Sequence, residues 1–141
     1  MAVAFNTILE AFEFVSSGRP CEYTAWVNRD TGESYWLSEL GDDLDELPGD
    51  FEGSDAYVEI PHKNDLDLGS RLVHSFVISE LPDSEDEVQE MFRAAGGYRR
   101  FDAMLERTGR KQDWFDYEAS ATDRALRQWC EANRVVLSDQ A

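Results

Sequence analysis

Near the start of the chain, Ile8, Leu9, Phe12 and Val15 fall three or four residues apart. That spacing predicts a helix capped by Asn6, preceded by Phe5 and ended by Ser16, Ser17 and Gly18. The period then shortens. Tyr23, Ala25 and Val27 alternate with Thr24 and Trp26, and Tyr35 and Leu37 alternate with Trp36, on either side of Arg29, Asp30, Thr31 and Gly32. Residues two apart share a face of a strand, so these runs predict a hairpin with apolar bulk on both faces, one packed on helices and the other at least partly covered. Tyr57, Val58 and Ile60, ahead of Pro61, predict a third short strand.

Helical spacing returns in four further stretches. Leu72, Val73, Phe76 and Val77 form a stripe that Asn64 or Asp65 would cap and that Leu81, Pro82 and Asp83 would break. A helix from Ser84, with Glu85, Asp86 and Glu87 at its positive end, would bury Val88, Met91, Phe92 and Ala95 and stop at Gly96 and Gly97. From Tyr98, Phe101, Met104, Leu105 and Thr108 share one side up to Gly109; from about Ser120, Ala125, Leu126, Trp129 and Cys130 point inward until Asn133. No internal repeat is present. The pattern predicts an α+β fold: a small antiparallel sheet, hairpin plus third strand, packed with about five helices, mostly C-terminal.

Composition adds a size and a charge. At 141 residues the chain is expected to form a single domain, 1–141. Acidic residues outnumber basic ones 30 to 13, a net charge of −17, while 42% hydrophobic content supports a core rather than a disordered chain. No apolar run approaches membrane-spanning length, and the opening residues carry no basic n-region, so a cytoplasmic protein is expected. The charge is uneven: residues 1–92 hold 22 acids and 4 bases, residues 93–141 hold 8 acids and 9 bases. Residues 39–56 hold eight carboxylates and no base, which predicts an acidic, mobile loop that the C-terminal helices attract.

Tests for specific chemistry exclude more than they support. An EF-hand register starting at Asp43 puts Leu47 at the fifth position and Pro48 where the sharp-turn glycine belongs, and a start at Asp65 puts Gly69 at the fifth position, where a ligand is needed. Cys21 and Cys130 lie far apart with no CxxC pair, Cys130 expected buried on a helix and Cys21 exposed. His62 and His74 fit no HExxH arrangement, and Walker, Rossmann and GxSxG patterns are absent. No catalytic residue, metal site or cofactor is assigned. Two local features stand out. Gly96, Gly97, Arg99 and Arg100 place two guanidinium groups at a helix start, where free N–H groups favour anions; the competing reading makes the glycines a turn and pairs the arginines with Asp102, Glu106 or the acidic loop. The aromatic cluster Trp114, Phe115, Tyr117 and Trp129, flanked by Arg110, Lys111, Arg124 and Arg127, has the composition of a single-strand stacking platform, but rings at that density more often fill a core. The overall charge argues against nucleic acid.

The hairpin around RDTGE, the acidic stretch ending in YVEIP, GGYRRFDAML, DWFDYE and RALRQWCEAN together resemble a bacterial group known as uncharacterised protein family 0158. Its best marker is Tyr98 to Phe101, followed by Leu105, Trp114, Tyr117 and Trp129, with Tyr98 standing where Phe is expected. The resemblance implies a bacterial cytosolic protein of single-domain α+β organisation and carries no reaction, cofactor or catalytic residue. The leading expectation is a non-enzymatic interaction or regulatory module. Its acidic surface, Asp42, Asp43, Asp45, Glu46, Asp50, Glu52 and Asp55, would meet a basic protein partner and, in the strong form, imitate nucleic acid. Anion or nucleotide binding at Gly96–Arg100 and an unrecognised hydrolase are the alternatives.

Overall fold

The computed structural model describes residues 2–19, 21–38, 48–49 and 51–138. In chain order these form α1 (Phe5–Ser16), β1 (Tyr23–Asn28), β2 (Ser34–Ser38), β3 (Tyr57–Glu59), α2 (Ser70–Glu80), α3 (Glu85–Met91), α4 (Gly97–Thr108) and α5 (Lys111–Ala132), with 3₁₀ turns at Lys63–Leu66 and Pro82–Ser84. The fold is α+β, with most of the helix following the sheet. Two compact units are present: Met1–Leu66 with Ala125–Ala141, and Asp67–Arg124.

In the first unit the strands run antiparallel in the order β2-β1-β3. The register sets Ala25 opposite Trp36, Trp26 opposite Tyr35 and Glu59, and Val27 opposite Val58. Opposed residues share a face, so Tyr23, Ala25, Val27, Trp36 and Val58 lie on one side of the sheet. That side takes α1, whose Phe14 stacks on Trp36 at 4.7 Å and meets Tyr23 at 5.0 Å. Ile8, Ala11, Phe12 and Val15 of α1 are buried, as are Ala25, Val27, Val58 and Ile60. The C-terminal residues complete this unit: Leu126, Cys130, Val135 and Leu137 are buried, and Val3 bridges Leu137, with its N–H donating to the Val136 carbonyl at 2.7 Å.

Two buried polar side chains tie the first unit's loops. The Asn28 carboxamide oxygen accepts the N–H groups of Asp30 (2.8 Å) and Thr31 (3.1 Å), shaping the hairpin turn that Gly32 closes at φ +79°. The Asn64 N–H donates to His62 Nδ1 at 3.0 Å, which places the ring proton on Nε2, and Nε2 donates to the Gly18 carbonyl at 2.8 Å. His62 thereby fastens the segment after β3 to the end of α1.

The second unit is helical. Leu72, Val73, Phe76 and Val77 of α2, Val88 of α3, Phe101, Met104 and Leu105 of α4 and Trp114 of α5 are buried. Trp114 meets Phe76 and Phe101 edge-on, each at 5.3 Å. The Phe92 ring meets Tyr98 edge-on at 5.0 Å.

Several boundaries differ from expectation. Asn6 does not cap α1; the Val3–Leu137 bridge carries the chain to an extended Ala4 and the helix begins at Phe5, while Asn6 donates to Glu10 at 2.9 Å. Asn64 and Asp65 do not cap α2, because Asp67 turns left-handed at φ +57° and interrupts the helical path before Ser70; the Asp65 carboxylate instead accepts the His62 N–H. Gly96 and Gly97 do not end α3, which stops at Met91 and leaves Ala95 exposed; they open α4. The last helix starts at Lys111, not Ser120, absorbing Trp114, Phe115 and Tyr117 into its first turns.

Candidate interaction surface

The first unit carries 17 acids and 5 bases, the second 13 acids and 8 bases. In the second unit the bases are largely engaged. Lys111 reaches Glu106 at 3.0 Å and Asp102 at 3.2 Å, Arg110 meets Glu80 and Asp113, and Arg107, Arg93 and Arg71 meet Glu87, Glu90 and Asp67. Hydrogen bonds that its ammonium donates to Glu106 and Asp102 hold Lys111 charged above the ordinary lysine range. Burial, with the charge of Glu118 second, pushes the Tyr98 phenol up. In the first unit Arg29 donates to the Asn133 and Asp55 carbonyls at 3.0 and 2.6 Å, and Arg127 lies 4.2 Å from the centre of the Phe5 ring. Even with every base paired, this unit retains an excess of carboxylates.

Of the expected acidic patch, Asp42, Asp43, Asp45, Glu46 and Asp50 lie outside the described residues; Glu52 and Asp55 are exposed. The expected loop 39–56 is therefore described only at 48–49 and 51–56, and its last residue, Ala56, accepts the Arg29 N–H at 2.9 Å.

The second face of the sheet carries Thr24 and Trp26 of β1, Tyr35 and Leu37 of β2, and Tyr57 and Glu59 of β3. Phe51 lies against it, edge-on to Trp26 at 5.2 Å and tilted on Tyr57 at 5.1 Å, and Tyr57 meets Tyr35 at 6.1 Å. The Tyr35 hydroxyl donates to the Glu33 carboxylate at 2.7 Å. All four rings are half-buried, whereas Glu33 and Glu59 are exposed. The alternation of Trp26, Tyr35 and Leu37 signalled this face in the sequence. Phe51 carried no such signal, sitting alone among acids.

At the start of α4, Gly96 adopts φ +87°, and a side chain on Gly97 would meet the Phe92 ring at 2.8 Å and the Met91 carbonyl at 3.0 Å. These two glycines are required by the turn and its packing. Arg99 and Arg100 are exposed, and their expected acidic partners Asp102 and Glu106 are engaged by Lys111. The aromatic cluster divides. Trp114 and Tyr117 pack with Phe76, Phe115 is exposed with Lys111 at 5.8 Å from its ring centre, and Trp129 belongs to the first unit, half-buried.

Cys21 is exposed and Cys130 buried, both as free thiols. Among the described residues no group of three or more His, Cys, Asp or Glu is placed to hold a metal, and no helix is long and apolar enough to cross a membrane. Compared with protein-family models, curated proteins and solved structures, the chain finds no match.

Proposed function

We propose that the chain is an interaction module that binds a basic protein partner through its first unit. The observation that carries this reading is the charge of that unit: 17 acids against 5 bases, an excess that remains even with every base paired. Such a surface repels itself and gains electrostatic free energy when a cationic surface approaches, which also accelerates encounter. The same field repels phosphate chains, so the partner is a protein and not a nucleic acid. Non-enzymatic action in the cytoplasm belongs to the same proposal.

Calorimetric titration tests it with two opposite probes, an acetylated six-arginine peptide amide and a short single-stranded oligonucleotide at low salt. Binding of the peptide with no heat from the oligonucleotide is expected. Silence with the peptide, or binding of the oligonucleotide, overturns the proposal.

A further inference from the structure

We infer that the aromatic face of the sheet is where the basic partner docks, and that it receives arginine side chains from an extended segment of that partner. The inference rests on the reading above and names its site and its preferred cation. The sheet register puts Tyr35, Trp26 and Glu59 in one row across the three strands, and Tyr57 lies two residues before Glu59 on the same face, beside Phe51. Adjacent strands are about 4.8 Å apart, so that row spans roughly 10 Å, the reach of one or two long side chains laid across it. Ring faces present negative charge density, and Glu33 and Glu59 add full negative charges at the β2 and β3 sides of the same surface.

That combination selects the ligand chemistry. An apolar partner would strip water from the carboxylates without replacing their hydrogen bonds, and an anion would meet repulsion from rings and carboxylates alike. A cation satisfies both. Arginine suits the geometry better than lysine, because its planar guanidinium stacks on a ring while its edge forks to a carboxylate, and it is less strongly hydrated than an ammonium. Arg29, the base adjacent to β1, is committed to the Asn133 and Asp55 carbonyls and does not supply this cation from within the chain. The mutual packing of Trp26, Phe51, Tyr57 and Tyr35, edge-on or tilted, holds the rings in place before a ligand arrives, so little ordering is required on binding.

The test titrates the isotope-labelled full chain with the acetylated six-arginine peptide and follows the tryptophan indole N–H signals. The Trp26 signal should shift saturably while that of buried Trp114 stays still. Trp26→Leu, which keeps apolar bulk and removes the ring, should weaken binding about tenfold. Glu59→Gln, an exposed change that leaves packing intact, should weaken it by roughly threefold, and a six-lysine peptide should bind less tightly than the arginine probe. An unmoved Trp26 signal in the unaltered chain, wild-type affinity in folded Trp26→Leu and Glu59→Gln variants, or equal affinity for the lysine peptide overturns the inference. Should Trp26→Leu fail to fold, the wild-type indole shift and Glu59→Gln decide. If the peptide binds with Trp26 unmoved, the docking face is refuted while the acidic-module reading stands; no peptide binding at all refutes both.

Discussion

Individual residues show most plainly where a side chain is bound by geometry and where it is free to change. His62 is buried, accepts on one ring nitrogen and donates on the other, so replacing it by Ala strands the Gly18 carbonyl and the Asn64 N–H and leaves a void. His62→Ala should lower stability by about 2–4 kcal/mol in urea denaturation. Gly97→Ala should cost about 1–3 kcal/mol, since the new methyl group meets the Phe92 ring and the Met91 carbonyl. The opposite sign is expected at Arg134. It closes α5 in the left-handed region at φ +59°, where the Val135 N–H returns to the Cys130 carbonyl at 2.8 Å. That position is usually glycine, so Arg134→Gly should raise stability by roughly 0.5–1 kcal/mol. A destabilised Arg134→Gly variant would show that the arginine side chain, rather than the backbone turn, matters there.

Helices and strands record which signals were readable in the sequence. The buried stripes of α1, α2 and α4 were legible because three- and four-residue spacing has one physical meaning on a helix, and the hairpin was legible from two-residue alternation around the glycine-containing turn. Helix ends were less so. Asn6, Asn64 and Asp65 have the chemistry of caps, yet other features set the start points: a distant contact, the Val3–Leu137 bridge, for α1 and the left-handed backbone of Asp67 for α2. The first turns of α5 hid among rings, because Trp114 and Tyr117 pack inward while Phe115 points to solvent, a helical arrangement that reads locally as an apolar knot. Sequence also placed the candidate surface only in part. Acid excess was visible, but the sharing of one sheet face by Phe51, Trp26 and Tyr57 depends on register.

Lys111 makes the stability of the α4–α5 pairing depend on pH. Its ammonium is held charged by Glu106 and Asp102, so its folded pKa lies above the ordinary value of 10.5. A raised pKa means that the contribution is complete below that ordinary value and fades as pH rises through the folded one. The raised Tyr98 phenol acts in the same direction, the unfolded chain losing its proton first. Stability should therefore fall on the alkaline side above about pH 10, and Lys111→Gln should flatten part of that fall. An identical alkaline limb in Lys111→Gln would show that Lys111 does not contribute to the fall.

For the molecule as a whole, the division of charge matters more than its total. The second unit carries a smaller acid excess, with five of its eight bases in ion pairs between and within helices; in the first, Glu33 and Glu59 lie on the sheet face that carries the half-buried rings. If net charge alone drew the partner, neutralising acids in either unit would have the same effect, because each change alters the monopole equally. The direct measurement compares two triple variants of equal charge: Asp30→Asn, Glu52→Gln and Asp55→Asn in the first unit, and Asp83→Asn, Asp86→Asn and Asp116→Asn in the second, all at exposed positions. Affinity for the six-arginine peptide is read by calorimetry at roughly 50 mM and about 500 mM salt, conditions between which screening shortens the reach of exposed charges severalfold. The first-unit variant should bind about tenfold more weakly at low salt and lose most of the salt dependence, with the second-unit variant close to the unaltered chain. Equal weakening by both variants, or wild-type binding by the first, would contradict the assignment of the partner to the first unit.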